Sequence, residues 1–255
     1  MIMPAPFYPG PYKEFDKDIP LSREQFINAL VELGNQRYHS LHPFHKLLHN
    51  GKLSFNQIQA WALNRFYYQW SIPRKDLTLM ARINDVKLRL EWRSRVIDHE
   101  GDIDGSGGIS RYLQLCERLN LDLDYVKSCE GLLPATKFAV DAYVSFVEDR
   151  SLLEGIASSL TEIYAPAIHK ERIVGLSKHY DWADDYALAY FKKRIGQARK
   201  DVEFGREWVI KNAKSRSDQE AVLNAVKFKT QVLWAQLDAL YYAYVDPGNI
   251  PPGCF

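Results

Sequence analysis

Positively charged side chains interrupt the apolar face of five predicted helical stretches, at positions where an ordinary core carries leucine. Lys229 is the clearest case, because it keeps the three- and four-residue spacing of the apolar residues between 222 and 244. Arg65 interrupts the same kind of face between Ile58 and Gln69. Burying an unpaired cation is strongly unfavourable even after the protein relaxes. The pattern therefore predicts either buried carboxylates that neutralise these cations or an internal cavity that receives an anionic ligand.

Polar pairs one helical turn apart recur on these faces. Arg95 precedes His99 by four positions, and Tyr190 precedes Arg194 by four, so each pair shares one helix surface. A guanidinium group suits carboxylates, and histidine exchanges a proton near neutral pH. The inward-facing acids that the sequence identifies are few: Glu162, Asp141 and Asp238. We therefore favour the cavity over complete internal neutralisation.

The composition restricts the class of protein. The chain has 255 residues, of which 46% are hydrophobic and 25% charged, as in a globular domain. A net charge of +1 supplies no overall field for nucleic acid or for an anionic membrane. No apolar run approaches the roughly 18 residues of a membrane span, and the N-terminal segment lacks the apolar core of a signal peptide. The three cysteines show no metal-ligand spacing, so we expect a cytoplasmic protein.

Helical periodicity runs through most of the chain, and no strand pattern competes with it. Residues 1–20 are rich in proline and aromatic residues and predict an extended N-terminal arm, whereas residues 246–255 predict a short C-terminal tail. Residues 21–245 predict one all-α catalytic domain with about seven principal helices. Sequence analysis thus predicts a single domain.

Capping residues and helix breakers predict the boundaries. Ser22, Ser54 and Asp85 each stand where a helix begins, and Pro73 predicts a break after about Trp70. The histidine-rich residues 38–49 predict a turn. Later helices are predicted at about 108–119, 122–128, 134–149, 151–163, 165–177, 183–213 and 217–245.

Metal-binding patterns are incomplete in this sequence. His45 and His49 are four apart, but the glutamate of the zinc-protease pattern H-E-x-x-H is missing between them. Glu162 and His169 alone supply too few ligands. Residues 98–108 resemble a calcium loop but lack the glutamate that closes it. The sequence therefore favours a protein without a metal centre.

Patterns for nucleophilic catalysis and nucleotide binding are also missing. Cys116 lies on an apolar stripe, and Cys129 has no nearby histidine in sequence. The chain contains no G-x-S-x-G, no G-x-G-x-x-G and no P-loop. The remaining candidate functional residues are side chains that bind anions or transfer protons.

Several runs carry a family resemblance: Y-H-S-L-H-P-F-H at 38–45, N-R-F-Y-Y-Q at 64–69, R-V-I-D-H at 95–99, F-A-V-D-A-Y at 138–143, S-S-L-T-E at 158–162, A-P-A-I-H at 165–169, Y-F-K-K-R at 190–194 and F-K at 228–229. These runs resemble the pyrroloquinoline-quinone synthase (PqqC) family, and the resemblance extends over about residues 25 to 245. It implies an all-α, seven-helix, heme-oxygenase-like bundle of the TENA type, usually a homodimer.

The resemblance also implies an activity, the final step of pyrroloquinoline quinone (PQQ) biosynthesis. In that step a tricarboxylate precursor (AHQQ) undergoes ring closure and eight-electron oxidation by O2, with release of H2O2 and without a metal or redox cofactor. The residues implied to bind this precursor are His39, Arg65, Tyr68, Gln69, Arg95, Tyr143, Thr161, Glu162, Arg172 and Lys229. The implied catalytic residues are His99 as general acid or base, and His169, Tyr190 and Arg194 at the dioxygen position.

Three other functions stay open on the same scaffold. Glu162 and His169 suggest a metal-dependent oxygenase. The cavity also suits a non-catalytic carrier that stores or delivers a quinone. A thiaminase-like hydrolase would need a cysteine at the cavity.

Overall fold

The computed structural model describes residues 19–102 and 106–246, apart from the side chains of residues 197–202. Within these ranges the chain forms eleven α-helices and two short 3-10 helices, and no strand. The helices are α1 (Arg23–Arg37), α2 (Pro43–His49), α3 (Phe55–Arg82), α4 (Val86–Glu100), α5 (Gly108–Arg118), α6 (Leu123–Ser128), α7 (Pro134–Asp149), α8 (Leu152–Ser158), α9 (Ala165–His179), α10 (Ala189–Asn212) and α11 (Arg216–Tyr244). The first 3-10 helix spans His39–Leu41, and the second spans Ser159–Tyr164.

The predicted helix starts are confirmed by cap geometry. The hydroxyls of Ser22 and Ser54 accept hydrogen bonds from the backbone N–H groups of Gln25 and Gln57, and both glutamines return the bond in a capping box. The carboxylate of Asp85 caps α4 through the N–H of Leu88. These local bonds explain why the boundaries were readable from sequence.

Four predicted boundaries are wrong. Helix α3 continues through Pro73, because tertiary packing on both sides stabilises it across the hydrogen bond that proline lacks. The histidine-rich turn contains α2, which Pro43 begins and the ring of His42 caps. The helix predicted at 151–163 ends at Ser158 and continues as the second 3-10 helix. The helix predicted from 183 begins only at Ala189.

The all-α prediction is thus confirmed for the described residues, but the helix count is eleven rather than seven. The difference comes from short helices such as α2, α6 and α8, which add to the long ones. The predicted arm and tail lie outside the described residues, except for 19, 20 and 246, and so does part of the acidic loop at 103–105. Among the described helices, none has the length and apolar character needed to cross a membrane.

Two large apolar clusters make up the core. The first joins residues of α2, α3, α5, α6, α9, α10 and α11, and the second joins residues of α1, α3, α4, α7, α8, α10, α11 and the second 3-10 helix. Helices α3, α10 and α11 contribute to both clusters. Tyr190 of the first cluster and Ile72 of the second line the same internal cavity. The fold therefore leaves a polar space where its two apolar clusters meet.

Candidate active site

The internal cavity brings together side chains that are far apart in sequence. It is lined by residues of α3, α4, α9, α10, α11 and both 3-10 helices, together with Tyr38. Its free volume is about 50 Å³. Pockets that enclose drug-sized ligands usually measure roughly 300–1,000 Å³. The cavity in this conformation is therefore small, because its own side chains fill most of the space.

Eleven of the fourteen predicted site residues line this cavity. They are His39, Arg65, Tyr68, Gln69, His99, Thr161, Glu162, His169, Arg172, Tyr190 and Arg194. The i,i+3 and i,i+4 spacings on α3, α9 and α10 place each helical group on one inward face. The second 3-10 helix carries Thr161 and Glu162 into the space between α9 and α10.

The other three predicted site residues lie behind the wall of the cavity. Arg95 donates from Nη2 to Oε1 of Glu162 at 2.9 Å. Lys229 and Tyr143 are in contact with each other, with Nζ 3.2 Å from the centroid of the ring. Direct contact of these three residues with a ligand requires rearrangement of the lining residues, and their predicted roles stay predictions.

Two of the three expected inward acids lie near the surface. Asp141 accepts from Tyr67 at 2.5 Å, and its side chain is 40% exposed. Asp238 pairs with His42 at 3.0 Å and is 41% exposed. Both carboxylates are therefore partly solvated by water and do not face the interior. Only Glu162, of the acids expected from sequence, faces the cavity.

A buried ion pair that the sequence analysis missed lies beside the cavity. Lys75 and Asp76 are almost fully buried and bonded to each other, and Oδ1 of Asp76 also accepts from the indole N–H of Trp92 at 3.0 Å. Ile72, Asp76 and Leu79 follow helical spacing, but this is visible only if α3 is extended through Pro73. The predicted break at Pro73 therefore concealed the pair.

The two buried acids neutralise part of the cationic lining. Glu162 contacts Arg95 at 2.9 Å and Arg194 at 3.4 Å, and Asp76 contacts Lys75. Burial alone would raise the pKa of Glu162, but the two arginines outweigh it and lower the pKa to about 2. Glu162 is therefore an anion at all physiological pH values.

Three described cations in or beside the cavity, Arg65, Arg172 and Lys229, have no carboxylate partner within salt-bridge distance among the described residues. Aromatic rings hold them instead. The guanidinium of Arg65 lies 4.3 Å from the Tyr68 ring centroid, and that of Arg172 lies 5.1 Å from Phe191. The buried carboxylates thus neutralise only some of the interior cations, as the hypothesis of an anion-binding cavity requires.

Lys229 is the extreme member of this group. Its Nζ is buried without a hydrogen-bond partner and lies 4.2 Å from the Tyr68 centroid. Burial, followed by repulsion from Lys75 and Arg65, lowers the pKa of Lys229 well below 10.5. The ammonium of Lys229 therefore loses its proton more readily than that of an exposed lysine, and a nearby anion would raise its pKa again.

His99 is positioned as a proton acceptor. Its Nδ1 lies 3.1 Å from the carbonyl oxygen of Arg95, and because a carbonyl only accepts, Nδ1 carries the proton. This leaves Nε2 as the basic nitrogen of the ring. Burial, followed by repulsion from Arg194, lowers the pKa of His99 to about 4, so the ring is neutral at pH 7.

A second set of polar side chains surrounds Tyr190. Its hydroxyl donates to Oε1 of Gln69 at 2.7 Å, while Nε2 of Gln69 is buried without a partner. The ring of His169 meets Tyr190 edge to face at 6.4 Å. Burial, followed by repulsion from Arg172 and Arg194, lowers the pKa of His169 well below 6.5. Neutral donors and acceptors thus adjoin the guanidinium of Arg194, which suits stabilisation of a developing small anion.

Two observations bear on the alternative chemistries. Within the described ranges, no group of three or more His, Cys, Asp or Glu side chains is arranged to hold a metal ion, although Glu162 and His169 both line the cavity. Among the described residues that line the cavity there is no cysteine, and Cys116 is buried in the first apolar cluster, where burial raises its pKa to about 12. A thiol in that setting is a poor nucleophile.

Sequence comparison identifies relatives over almost the whole chain. The pattern of the TENA/THI-4/PQQC family matches residues 27–239. A pyrroloquinoline-quinone synthase of Rhodopseudomonas palustris (strain TIE-1) is 57% identical over 227 residues, which are 89% of each chain. The bifunctional coenzyme PQQ synthesis protein C/D of Methylorubrum extorquens is 52% identical over 245 residues, covering 96% of this chain and 66% of that protein.

Structural comparison finds the same architecture in more distant proteins. A TenA homologue from P. horikoshii OT3 superposes with a TM-score of 0.67 at 14% identity, covering 86% of this chain and 98% of the other. A Shewanella denitrificans protein with a heme oxygenase-like fold gives a TM-score of 0.67 at 13% identity, covering 87% of this chain and 90% of the other. At such low identity these likenesses show the fold alone, and they confirm the predicted fold class.

Proposed function

We infer that this chain, which belongs to the TENA/THI-4/PQQC family, catalyses the final step of pyrroloquinoline quinone biosynthesis. The relatives named pyrroloquinoline-quinone synthase support this function at more than half identity over most of the chain. The step is the ring closure and eight-electron oxidation of a tricarboxylate precursor by O2, with release of H2O2. The enzyme is accordingly an oxidoreductase that uses O2 as acceptor.

The observation that carries this proposal is a match between charges. Three interior cations, Arg65, Arg172 and Lys229, have no carboxylate partner among the described residues, and the precursor has three carboxylates. Arg65 and Arg172 present planar guanidinium groups suited to two-point contact with a carboxylate. Lys229 would supply a point charge from behind Tyr68. A ligand that neutralises all three removes the repulsion among them.

The carboxylate contacts would also orient the reacting rings. His39, Tyr68, Gln69 and Thr161 would complete the binding shell, and the unpartnered Nε2 of Gln69 is a ready donor. The precursor is larger than the present free volume, so binding must displace side chains. Arg95, Tyr143 and Lys229 would reach the ligand through that displacement.

His99 would act as the general base. Its free Nε2 lone pair can accept a proton from a carbon or nitrogen of the precursor, and Nδ1 stays bonded to the Arg95 carbonyl. A neighbouring carbonyl acceptor stabilises the imidazolium that results. Removal of the proton leaves an electron-rich anion.

That anion explains how oxidation can proceed without a metal or redox cofactor. A quinol-like anion reduces O2 directly, so the protein would supply orientation, proton transfer and stabilisation of reduced oxygen. Arg194, with Tyr190 and His169 beside it, would stabilise superoxide or peroxide. We propose O2 as the only oxidant on this basis.

The experiment uses metal-depleted protein and the synthetic precursor. We expect quinone absorbance to appear under air, to stop without O2, and to persist in the presence of a chelator. Loss of activity on chelation, with recovery on addition of iron, would indicate a metal-dependent oxygenase instead. Tight binding of precursor and product without conversion would indicate a quinone carrier.

We propose further that the protein is a homodimer. Trp70 on α3 and Val86 and Leu90 on α4 are more than half exposed, although each is large and apolar. Burial of such residues between two copies would stabilise an assembly. Light scattering that gives the mass of one chain at micromolar concentration would contradict this proposal.

We also propose that the enzyme works in the cytoplasm. Cys116 and Cys129 are free thiols in the structure, as is usual in a reducing compartment. Fractionation of cells that express the tagged full chain tests this location, and recovery in an oxidising compartment would exclude it.

A further inference from the structure

We propose that His45, His49 and Glu171 form a proton-transfer route between the cationic cavity and solvent. The inference rests on the proposed function, because the oxidation removes protons from carbon and nitrogen while the reduction of O2 consumes protons. These protons must be exchanged between the cavity and solvent. None of these three residues was among the predicted site residues.

Three buried imidazole rings follow one another from the cavity to the surface. His39 lines the cavity, and its ring centroid lies 4.8 Å from that of His45. The rings of His45 and His49 are stacked, with centroids 5.4 Å apart and planes inclined by 16°. Nδ1 of His49 lies 3.2 Å from a carboxylate oxygen of Glu171, whose side chain is 58% exposed. The series therefore begins at the cavity and ends in water.

Hydrogen-bond partners determine the tautomers of two of these rings. A guanidinium only donates, so Nη2 of Arg172 at 3.0 Å makes Nε2 of His45 the acceptor and leaves the proton on Nδ1. A carboxylate only accepts, so His49 carries its proton on Nδ1, toward Glu171. Both rings are thus Nδ1–H tautomers.

The remaining ring nitrogens of His45 and His49 are complementary, because one is a donor and the other an acceptor. Nδ1 of His45 is a buried donor without a partner, and Nε2 of the stacked His49 is a buried acceptor without a partner. At this ring separation one water molecule suffices to join them, and buried polar groups commonly bind such a water. The tautomers therefore align in one direction, from the cavity outward.

This alignment allows a balanced transfer. A proton that reaches Nε2 of His45 displaces the Nδ1 proton of His45 to Nε2 of His49. His49 passes its own Nδ1 proton to Glu171, which releases it to solvent. One proton enters and one leaves, and both rings are left as Nε2–H tautomers. A proton that passes inward by the reverse steps, as the reduction of O2 requires, restores the first tautomers.

Arg172 couples the route to ligand binding. In the empty site it occupies Nε2 of His45, and burial, followed by repulsion from Arg172, His39, His49 and Arg65, lowers the pKa of His45 well below 6.5. A ligand carboxylate that takes over the guanidinium frees this nitrogen and offsets the repulsion. The route opens only when a ligand is present.

Close packing of two helices supports the arrangement. A Cβ at Gly175 of α9 would come within 2.5 Å of the carbonyl oxygen of His49, so glycine permits α2 to approach this closely. The approach places Glu171 and Arg172, neighbours on α9, against His49 and His45 respectively.

The first test needs no turnover. Imidazole nitrogen NMR of the empty, uniformly 15N-labelled protein, with peaks assigned through His45→Gln and His49→Gln, reports the tautomer of each ring. We expect Nδ1–H for both His45 and His49. An Nε2–H tautomer at either ring would overturn the proposed direction.

The second test measures turnover in Glu171→Gln and His49→Gln. We expect kcat to fall by about tenfold, less than the roughly 100-fold loss of a directly acting acid or base, with KM unchanged. The solvent deuterium isotope effect should rise, and added imidazole buffer should restore rate to Glu171→Gln. A purely structural role would move neither the isotope effect nor the buffer dependence.

Asp238→Asn is the matched control. Asp238 is also a partly exposed acid bonded to a buried histidine, His42, but the ring of His42 packs on Trp234 and Tyr241 rather than on the stack. The kcat and the solvent deuterium isotope effect of Asp238→Asn should match those of the wild type. Unchanged kinetics in both relay variants, or an equal loss in Asp238→Asn, would overturn the route, whereas an inactive wild type would instead contradict the proposed function.

Discussion

Nζ of Lys229 lies 3.2 Å from the centroid of the Tyr143 ring and has no hydrogen-bond partner. The centroid of a second ring, that of Tyr68, lies 4.2 Å from the same Nζ. Two π faces therefore replace the carboxylate that a buried ammonium normally requires. The consequence is a site that is electrostatically unfavourable when empty and that gains most from an anionic occupant.

Lys229→Met should separate stability from binding. Methionine retains most of the side-chain volume and removes the unpartnered amine, so the free energy of unfolding should stay constant or rise by about 1 kcal/mol. Affinity for the tricarboxylate should fall at least tenfold, or about 1.4 kcal/mol. Urea denaturation and ligand titration measure the two quantities, and Lys227→Met on the same helix serves as control. Full affinity in Lys229→Met would contradict the assigned role.

Ligand binding should take up protons. The pKa of Lys229 and those of His39 and His169 are lowered in the empty site by burial and by neighbouring cations. An anionic ligand raises these pKa values, so binding is linked to protonation and affinity increases as pH falls. Calorimetric titration in buffers of different ionisation enthalpy measures the number of protons. Uptake of zero protons near pH 8 would count against this account.

His99→Ala should slow turnover and leave binding largely intact. Removal of a general base typically costs about 100-fold or more in rate, whereas the cationic ligands of the carboxylates are untouched. Because the pKa of His99 is about 4 in the empty site, its ionisation should limit kcat/KM only near that pH rather than near 6.5. Pre-steady-state kinetics and a pH profile test both statements. Wild-type kcat in this variant would remove His99 from the mechanism.

Helical periodicity predicted the inward cations, because they occupy apolar positions on regular helices. The family resemblance implied the set of fourteen site residues, and eleven of them line one cavity. Arg95, Lys229 and Tyr143 were expected on the same inward helix faces, but their side chains do not line the cavity. Sequence spacing shows on which face of a helix a residue lies, but it does not show whether that side chain reaches the cavity.

The missed features share a different cause. Lys75 and Asp76 lie beyond Pro73, where a local rule predicted a helix break, and the packing of α3 overrides that rule. His45 and His49 fell in a predicted turn, because seven residues are too few to show helical periodicity. The contact between the tilted rings of His39 and His45 depends on how the first 3-10 helix packs on α2, which sequence periodicity does not encode.

Acid should destabilise the empty protein through its neutral histidines. The unfolded chain binds a proton at His99 below about pH 6.5, whereas the folded protein does so only near pH 4. The stability due to the neutral ring is therefore complete above pH 6.5 and is lost as pH falls toward 4. We expect the drop in unfolding free energy between pH 7 and pH 5 to be about 2 kcal/mol smaller in His99→Asn. Equal drops measured by urea denaturation would refute the shift.

Asp76→Asn should be the most destabilising of these substitutions. Asparagine still accepts from the Trp92 indole but leaves Lys75 buried without a counter-charge, which typically costs about 3–5 kcal/mol. Adding Lys75→Met removes the stranded cation, so the double variant should recover much of the loss. A double-mutant cycle by urea denaturation measures the coupling. If the two losses simply add, Lys75 and Asp76 do not stabilise the fold as a pair.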